Sequence, residues 1–274
     1  MLAAANKDAA ALLAPLRAGQ TPPPWDRVPV LSGAAFAAEV AAHPPFGRYG
    51  VVADDLIRAG LATAALPQPT PIAWTRADLD REAALGARCL RRAGLGPRGR
   101  SADTLDGGLV APGTLAVADA LDALDALALP VGPIVDAAAL TRAAEVWDIV
   151  RPEVLIVDPA SLAFLRANAG YPRPRLFVAI LTPADGAPLA APVAPDVMRI
   201  LSVPHVGTWI AGECAAHAGL HLAPDEVHAE IVDGGLVLTP LQRAIAPLRV
   251  DVGLRARIEA SPCACGETSP RLLL

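Results

Sequence analysis

Three thiols and an imidazole fall in two short segments near the C-terminus: Cys214 and His221, then Cys263 and Cys265 with one residue between them. Cys and His side chains are the ligands of tetrahedral zinc, and a set of four leaves no open coordination position. The chemistry this spacing offers is therefore a structural Zn2+ site rather than a catalytic one. Gly219 permits the turn that returns the His221 ring toward Cys214, and Gly266 gives the same freedom after Cys265. His217, four residues before His221, is an alternative ligand or a hydrogen-bond partner of the ligands. The competing reading is a group of small buried side chains with no ion, because Cys-x-Cys is a less specific pattern than Cys-x-x-Cys. Under the metal reading, the ion clamps a hairpin to the final strand.

Composition narrows the classes. The 274 residues carry 23 basic and 28 acidic side chains, for a formal net charge of −5. Phosphate contacts need clustered Lys and Arg, so no nucleic-acid partner is expected. Hydrophobic residues make up 53% of the chain, but alanine supplies much of that share and aromatics only 4%. The core must come from Leu, Val and Ile runs, which bury more area per side chain. No apolar stretch reaches the roughly 18 residues that span a bilayer, so no membrane partner is expected. Asn6, Lys7 and Asp8 interrupt the first alanine runs, which predicts a short amphipathic helix rather than a signal peptide. Without such a signal the cysteines read as metal-binding rather than disulfide-bonded, and the chain as cytoplasmic.

The elements that position these groups follow from punctuation and periodicity. Residues 1–27 read as an N-terminal helix and proline-rich lead-in, 28–205 as an α/β body, and 206–274 as a small β-rich, zinc-bearing subdomain. A short helix over 34–43 closes at His43-Pro44-Pro45. Thr75 caps a helix over about 76–93, with Asp78 in its first turn and Arg91 and Arg92 in its last, both suited to the helix dipole. A helix at 114–127 precedes a buried strand in the run ALALPVGPIV. A helix over 137–150, a strand at 153–158, a helix at 159–168 and a strand at 175–182 follow. Helix and buried strand in alternation are the rhythm of a parallel sheet. Residues 226–239 read as a hairpin turning at Asp233-Gly234-Gly235, and 247–258 as another strand.

Several phrases, in order, resemble the phenylacetate–CoA ligase branch of the adenylate-forming enzymes: Pro45-Phe-Gly, Trp74-Thr-Arg-Ala-Asp-Leu79, Arg151-Pro-Glu-Val-Leu, Gly219-Leu-His221, Ala229-Glu-Ile-Val-Asp233 and Pro262-Cys-Ala-Cys-Gly-Glu-Thr-Ser-Pro-Arg271. The last is the most specific, and some members of that family bind zinc there. The resemblance implies the α/β N-terminal ligase domain, with parallel-rich sheets flanked by helices and a small antiparallel C-terminal subdomain. It also implies that the mobile lid domain is absent, and a homodimer is compatible with it. Three ATP motifs of that family are eroded. The phosphate loop reads Leu61-Ala-Thr-Ala-Ala-Leu-Pro-Gln-Pro-Thr70, with no glycine and with Gln68 where lysine belongs. The aromatic-Gly-x-Ser/Thr-Glu turn is replaced by Ile200-Leu-Ser-Val-Pro204-His205. Leu254 stands where a ribose-binding Asp belongs, with Asp251 on the opposite strand face.

These departures predict that no ATP or Mg2+ is bound and that the cleft binds or converts a carboxylate, acyl or aromatic small molecule in a biosynthetic pathway. The alternatives are a scaffold or regulatory pseudoenzyme, and an acyl-adenylate ligase working with a separate lid. A cleft filled by Leu61, Leu66 and Leu254 favours the scaffold, and a void lined by polar groups favours the small molecule. His205, His228 and Glu213 are the titratable candidates near the cleft, a placement resting on the resemblance, as does that of Trp209 near the acyl pocket. Cys89 and Trp147 are expected in the core, His43 at the surface, and Asp103, Asp106, Asp119, Asp122 and Asp125 mostly on solvated helix faces.

Overall fold

The computed structural model describes residues 9–20, 25–49, 55–64, 66–107, 110–186 and 194–274. The first eight residues of the expected N-terminal helix, and residues 21–24 of the lead-in, lie outside these. Helix α1 (Ala9–Arg17) is followed by α2 (Gly33–Ala42), whose N-cap Ser32 accepts from Ala35 N. Strands β1 (Leu56–Ala62) and β2 (Thr70–Thr75) form an antiparallel pair leading into α3 (Arg76–Arg92). Thr75 and Asp78 make a reciprocal capping box there, satisfying two N–H groups that the helix leaves unpaired.

The alternation expected from the sequence then appears as β3 (Arg100–Asp103), β4 (Val110–Ala111), α4 (Thr114–Asp122), β5 (Leu127–Pro130), α5 (Ala137–Val150), β6 (Val154–Val157), α6 (Pro159–Ala167), β7 (Leu176–Leu181) and β8 (Val197–Val203). Strands β5, β3, β6, β7 and β8 are parallel neighbours in that order. Strands β6 and β7 are buried on both faces. Val154, Ile156, Val178 and Ile180 pack under α3 and α4, while Leu155, Val157, Phe177 and Ala179 join a second core with Trp147 of α5 and Leu165 of α6. That two-sided burial is why their sequences are unbroken apolar runs.

Two expectations change in this region. The strand at 127–130 is the sheet's edge and mostly exposed, with Leu127 45% accessible, because only β3 covers one side of it. Asp103 is not on a solvated helix face. It ends β3, 1% exposed, and burial pushes its carboxyl up to about 6 although Thr114 Oγ1 and Leu105 N donate to it.

Residues 206–274, expected as one small unit, divide between two sheets. Strands β9 (Gly207–Gly212) and β10 (Leu220–Leu222) pair in sequence beyond β8, followed by the last strand and the one before it, β15 (Arg271–Leu273) and β14 (Arg257–Glu259). All join antiparallel, extending the main sheet to nine strands. Strands β11 (Val227–Val232), β12 (Gly235–Pro240) and β13 (Val250–Arg255) form a separate three-stranded sheet. Its first hairpin turns at Asp233 and Gly234 with φ of 51° and 79°, the left-handed geometry that a two-residue hairpin loop requires. Arg249 ties the lead-in to this sheet, donating to Val28 O and to Glu230, which also accepts from Trp25 Nε1.

Candidate functional site

The antiparallel extension of the main sheet brings the four ligand candidates together. Strand β9 runs to Gly212, opposite His221 of β10, and His221 also faces Arg271 of β15. The loop before β15 carries Cys263 and Cys265, turned by bonds from Gly266 N to Cys263 O and from Cys263 N to Glu267 O. Gly219, with φ of 104°, immediately precedes β10, and a Cβ on it would lie 2.7 Å from Leu272 O. The donor atoms of Cys214, His221, Cys263 and Cys265 all lie within 4.8 Å of one another, so these four residues could hold a metal ion.

Their geometry is specific. Cys214 Sγ is 3.7 Å from Cys263 Sγ, and Cys265 Sγ is 3.5 Å from His221 Nε2. The other ring nitrogen, His221 Nδ1, lies 3.0 Å from Ser269 Oγ and 3.3 Å from Glu267 Oε2. Arg92, at the end of α3, donates to both oxygens of Glu267. Nδ1 therefore has acceptors and Nε2 faces the sulfurs, the arrangement that orients a metal-binding imidazole. Burial pushes the Cys214 thiol up to about 11 and His221 below its usual value, whereas the Cys265 backbone N–H holds Cys263 low. A bound divalent cation overrides such thiol values by deprotonating its ligands.

His217 stays outside this set. It takes φ of 47° in the Cys214 turn and stands 3.8 Å from Glu213 Oε1. The cluster brings together the β9–β10 connection, His221 of β10 and the β14–β15 connection, whereas the β11–β12 hairpin, expected as one side of a clamp, belongs to another sheet.

The remaining candidates are not brought together. Glu213 is 1% exposed and paired with Arg199 at 2.5 Å while also accepting Arg199 N, which commits both oxygens. His205 is 3% exposed and tilted against the Phe36 ring at 5.2 Å, and neither ring nitrogen has a partner among the described residues. Burial pulls its imidazole down to about 4, so it is neutral. His228 sits half-buried on β11, edge-on to Trp25 at 5.7 Å, and it too is held low by burial. Trp209 is core, against Gly86 of α3 and Ala120 of α4.

Sequence reasoning missed a partly open pocket, with a cavity volume of about 60 Å³, between the β1–β2 hairpin and helices α3 and α4. Trp74, Leu79, Ala116 and Val110 supply apolar wall, with Glu82, Arg58 and Asp119 as its charged groups. Glu82 is buried in α3, accepts Thr208 N at 3.0 and 3.1 Å, and has its carboxyl raised by burial. Its signal in the sequence was a charged residue on the helix face that also carries Leu79 and Gly86. Helix α3 and strand β9 each touch both places: α3 with Glu82 and Arg92, β9 with Thr208 and the run into Cys214.

The fold is that of the adenylate-forming CoA ligases, matched over their N-terminal part. The chain superposes on a 2-hydroxyisobutyryl-CoA ligase bound to its acyl-AMP and CoA in the thioesterification state. The TM-score is 0.77 and identity 21%, covering 98% of this chain and 67% of that one. An open conformation of that ligase gives 0.75 at 21% identity, covering 90% and 63%. Its postadenylation state gives 0.74 at 20%, covering 90% and 56%. The chain thus spans roughly three-fifths of these ligases. No protein-family model matches the sequence. No curated protein matches it either. No helix among the described residues is long and apolar enough to cross a membrane.

Proposed function

We propose that this chain is a phenylacetate–CoA ligase-like protein that does not adenylate. It keeps a structural zinc and uses the pocket beside α3 for a small acyl, carboxylate or aromatic molecule in a biosynthetic pathway. The observation that carries this reading is the joint between β8 and β9. Only Pro204, His205 and Val206 connect the two strands, closed by a bond from Val206 N to Val203 O at 2.7 Å. In the resembled family this is where an aromatic ring and a magnesium-binding Glu belong. Here a buried, neutral histidine packs on Phe36 instead.

The other two nucleotide segments agree. In the β1–β2 turn Thr63 is exposed, Ala64 is buried, and the Thr70 hydroxyl donates to Gln68 O. Such a loop offers neither the backbone freedom of glycine nor a lysine charge to a phosphate. Leu254 is buried in the core and Asp251 accepts from Gly253 N, capping its own turn. Leu66 is partly buried against the core, so the hairpin is closed at its loop end, while the pocket opens along Arg58, Gly60 and Trp74. Leucine filling of the nucleotide end is the outcome set out above for a scaffold, so the small-molecule reading rests on the separate void kept beside α3.

The zinc assignment rests on edge lengths. A tetrahedral zinc at its usual bond lengths sets sulfurs about 3.8 Å apart and sulfur from nitrogen about 3.6 Å. The structure has 3.7 and 3.5 Å. When bound, the ion supplies structural cross-linking only, since four protein ligands leave no position for substrate.

The deciding experiment is ATP–pyrophosphate exchange with a panel of small carboxylic acids, together with nucleotide titration. No exchange and no ATP binding in the millimolar range is the expected result. Robust exchange, with or without an added lid domain, overturns the reading in favour of a working adenylating enzyme.

A further inference from the structure

A second cavity, of about 180 Å³, lies where the two sheets meet under α1. Leu222 of β10 and Ile258 of β14 supply the main-sheet wall, Val227 and Ala229 of β11 the other, and Leu16 of α1 the cover. It shares no lining residue with the pocket beside α3. Helix α1 ends there in a left-handed turn, with Gly19 at φ of 72° and bonds from Gly19 N to Leu16 O and from Gln20 N to Pro15 O. That turn sets Gln20, which is exposed, at the cavity's mouth.

Among the described lining residues none is Asp, Glu, Lys or Arg, and the polar side chains are His228 and Gln20. The edge contact of His228 with Trp25 leaves both ring nitrogens without a hydrogen-bond partner among the described residues. Burial holds this imidazole below its usual titration range, so it is neutral at neutral pH.

We propose that this cavity is a binding site for a small uncharged molecule of about the size of phenol, apolar except for one hydroxyl that pairs with the His228 ring. The site is independent of whatever the pocket beside α3 holds.

Three features give the ligand its class. A cavity of about 150 Å³ with aliphatic walls takes a benzene ring, so this one has room for a single ring and a small substituent. An ion would leave water here without a counter-charge, a loss that apolar contact cannot offset. A neutral imidazole offers one donor and one acceptor, and a hydroxyl matches either, whichever tautomer His228 takes. Water competes poorly for the same space, because an ordered water needs several polar partners and the walls are mostly apolar.

The test is titration of the full chain with phenol, toluene and benzoate, followed by the indole N–H resonances of two tryptophans. Trp25 touches His228, whereas Trp74 lines the other pocket, so they report on the two places separately. Phenol should shift Trp25 and leave Trp74 unmoved. It should bind several-fold tighter than toluene and roughly ten-fold tighter than benzoate. His228→Leu should abolish the preference for phenol over toluene while toluene still binds. Ile258→Ala should tighten 2-naphthol several-fold, a gain that misfolding cannot imitate. No shift of Trp25 at millimolar phenol, or a shift of Trp74 alone, overturns the site. Benzoate binding there as tightly as phenol overturns the exclusion of charge. A phenol preference that survives His228→Leu overturns the role of the imidazole, and an Ile258→Ala variant with no gain for 2-naphthol overturns the placement of the ring.

Discussion

The sulfurs of Cys214 and Cys263 stand 3.7 Å apart across 49 residues of chain, and both cysteines are free. A disulfide brings sulfurs to about 2 Å; the observed gap matches the edge of a thiolate tetrahedron instead. Two connections of the main sheet meet at this point, so an ion held there would replace packing that short loops of Ala, Gly and Pro cannot provide.

Purified protein should therefore carry about one zinc per chain by elemental analysis, and Cys263→Ser should lose it. Because structural zinc contributes folding free energy, stripping the ion should cost on the order of 3 kcal/mol, a thermal midpoint lower by roughly 5–10 °C. A midpoint indifferent to a strong chelator would remove the metal from the account.

The Glu267 bridge between Arg92 and His221 should set how tightly the ion is held. Glu267→Gln keeps the shape but loses the charge that holds Arg92 and orients the ring. Its zinc affinity should fall roughly 10- to 100-fold, measured by competition with a chromogenic chelator. Unchanged affinity would mean that the sulfurs alone define the site.

Gly86 lets α3 approach its neighbours. A Cβ there would collide with Ala120 Cβ of α4 and lie 2.6 Å from the Trp209 ring. Gly86→Ala should destabilise the protein by about 1–3 kcal/mol in denaturant titration, even though alanine is the better helix former. A stabilised variant would show that the helices can part at no cost.

His205 should make the fold acid-sensitive. Its imidazole titrates near 6.5 when unfolded and is pulled down to about 4 in the native state. The unfolded chain therefore binds the proton first, so this residue's contribution is full above pH 6.5 and lost as pH falls to 4, by about 3 kcal/mol at most. His205→Phe should flatten that part of the stability–pH curve, followed by chemical denaturation between pH 4 and 7. A wild-type slope retained in the variant would assign the sensitivity to groups other than His205. Asp103 acts with opposite sign, because its raised carboxyl loses stability as pH rises toward 6.

How much was legible in advance depended on range. The α3 capping box, the Asp233-Gly234 turn and the buried runs of β6 and β7 are determined by neighbours within a few residues, and each lies where pattern and propensity put it. The grouping of Cys214, His221, Cys263 and Cys265, which could hold a metal ion, was legible for a chemical reason, since few other roles suit three thiols and an imidazole. Glu213 was misleading because a carboxylate in isolation does not reveal Arg199 on the adjoining strand.

Local residue order was enough to specify the helices, turns and donor set of this protein, because backbone dihedrals and side-chain chemistry are short-range properties. Which strands adjoin was settled by folding. Strands β9, β10, β14 and β15 joined the main sheet, β5 became an exposed edge, and a pocket opened between Trp74 and α4. Those outcomes depend on burying faces that lie dozens of residues apart, and no short stretch of sequence carries that balance of contacts.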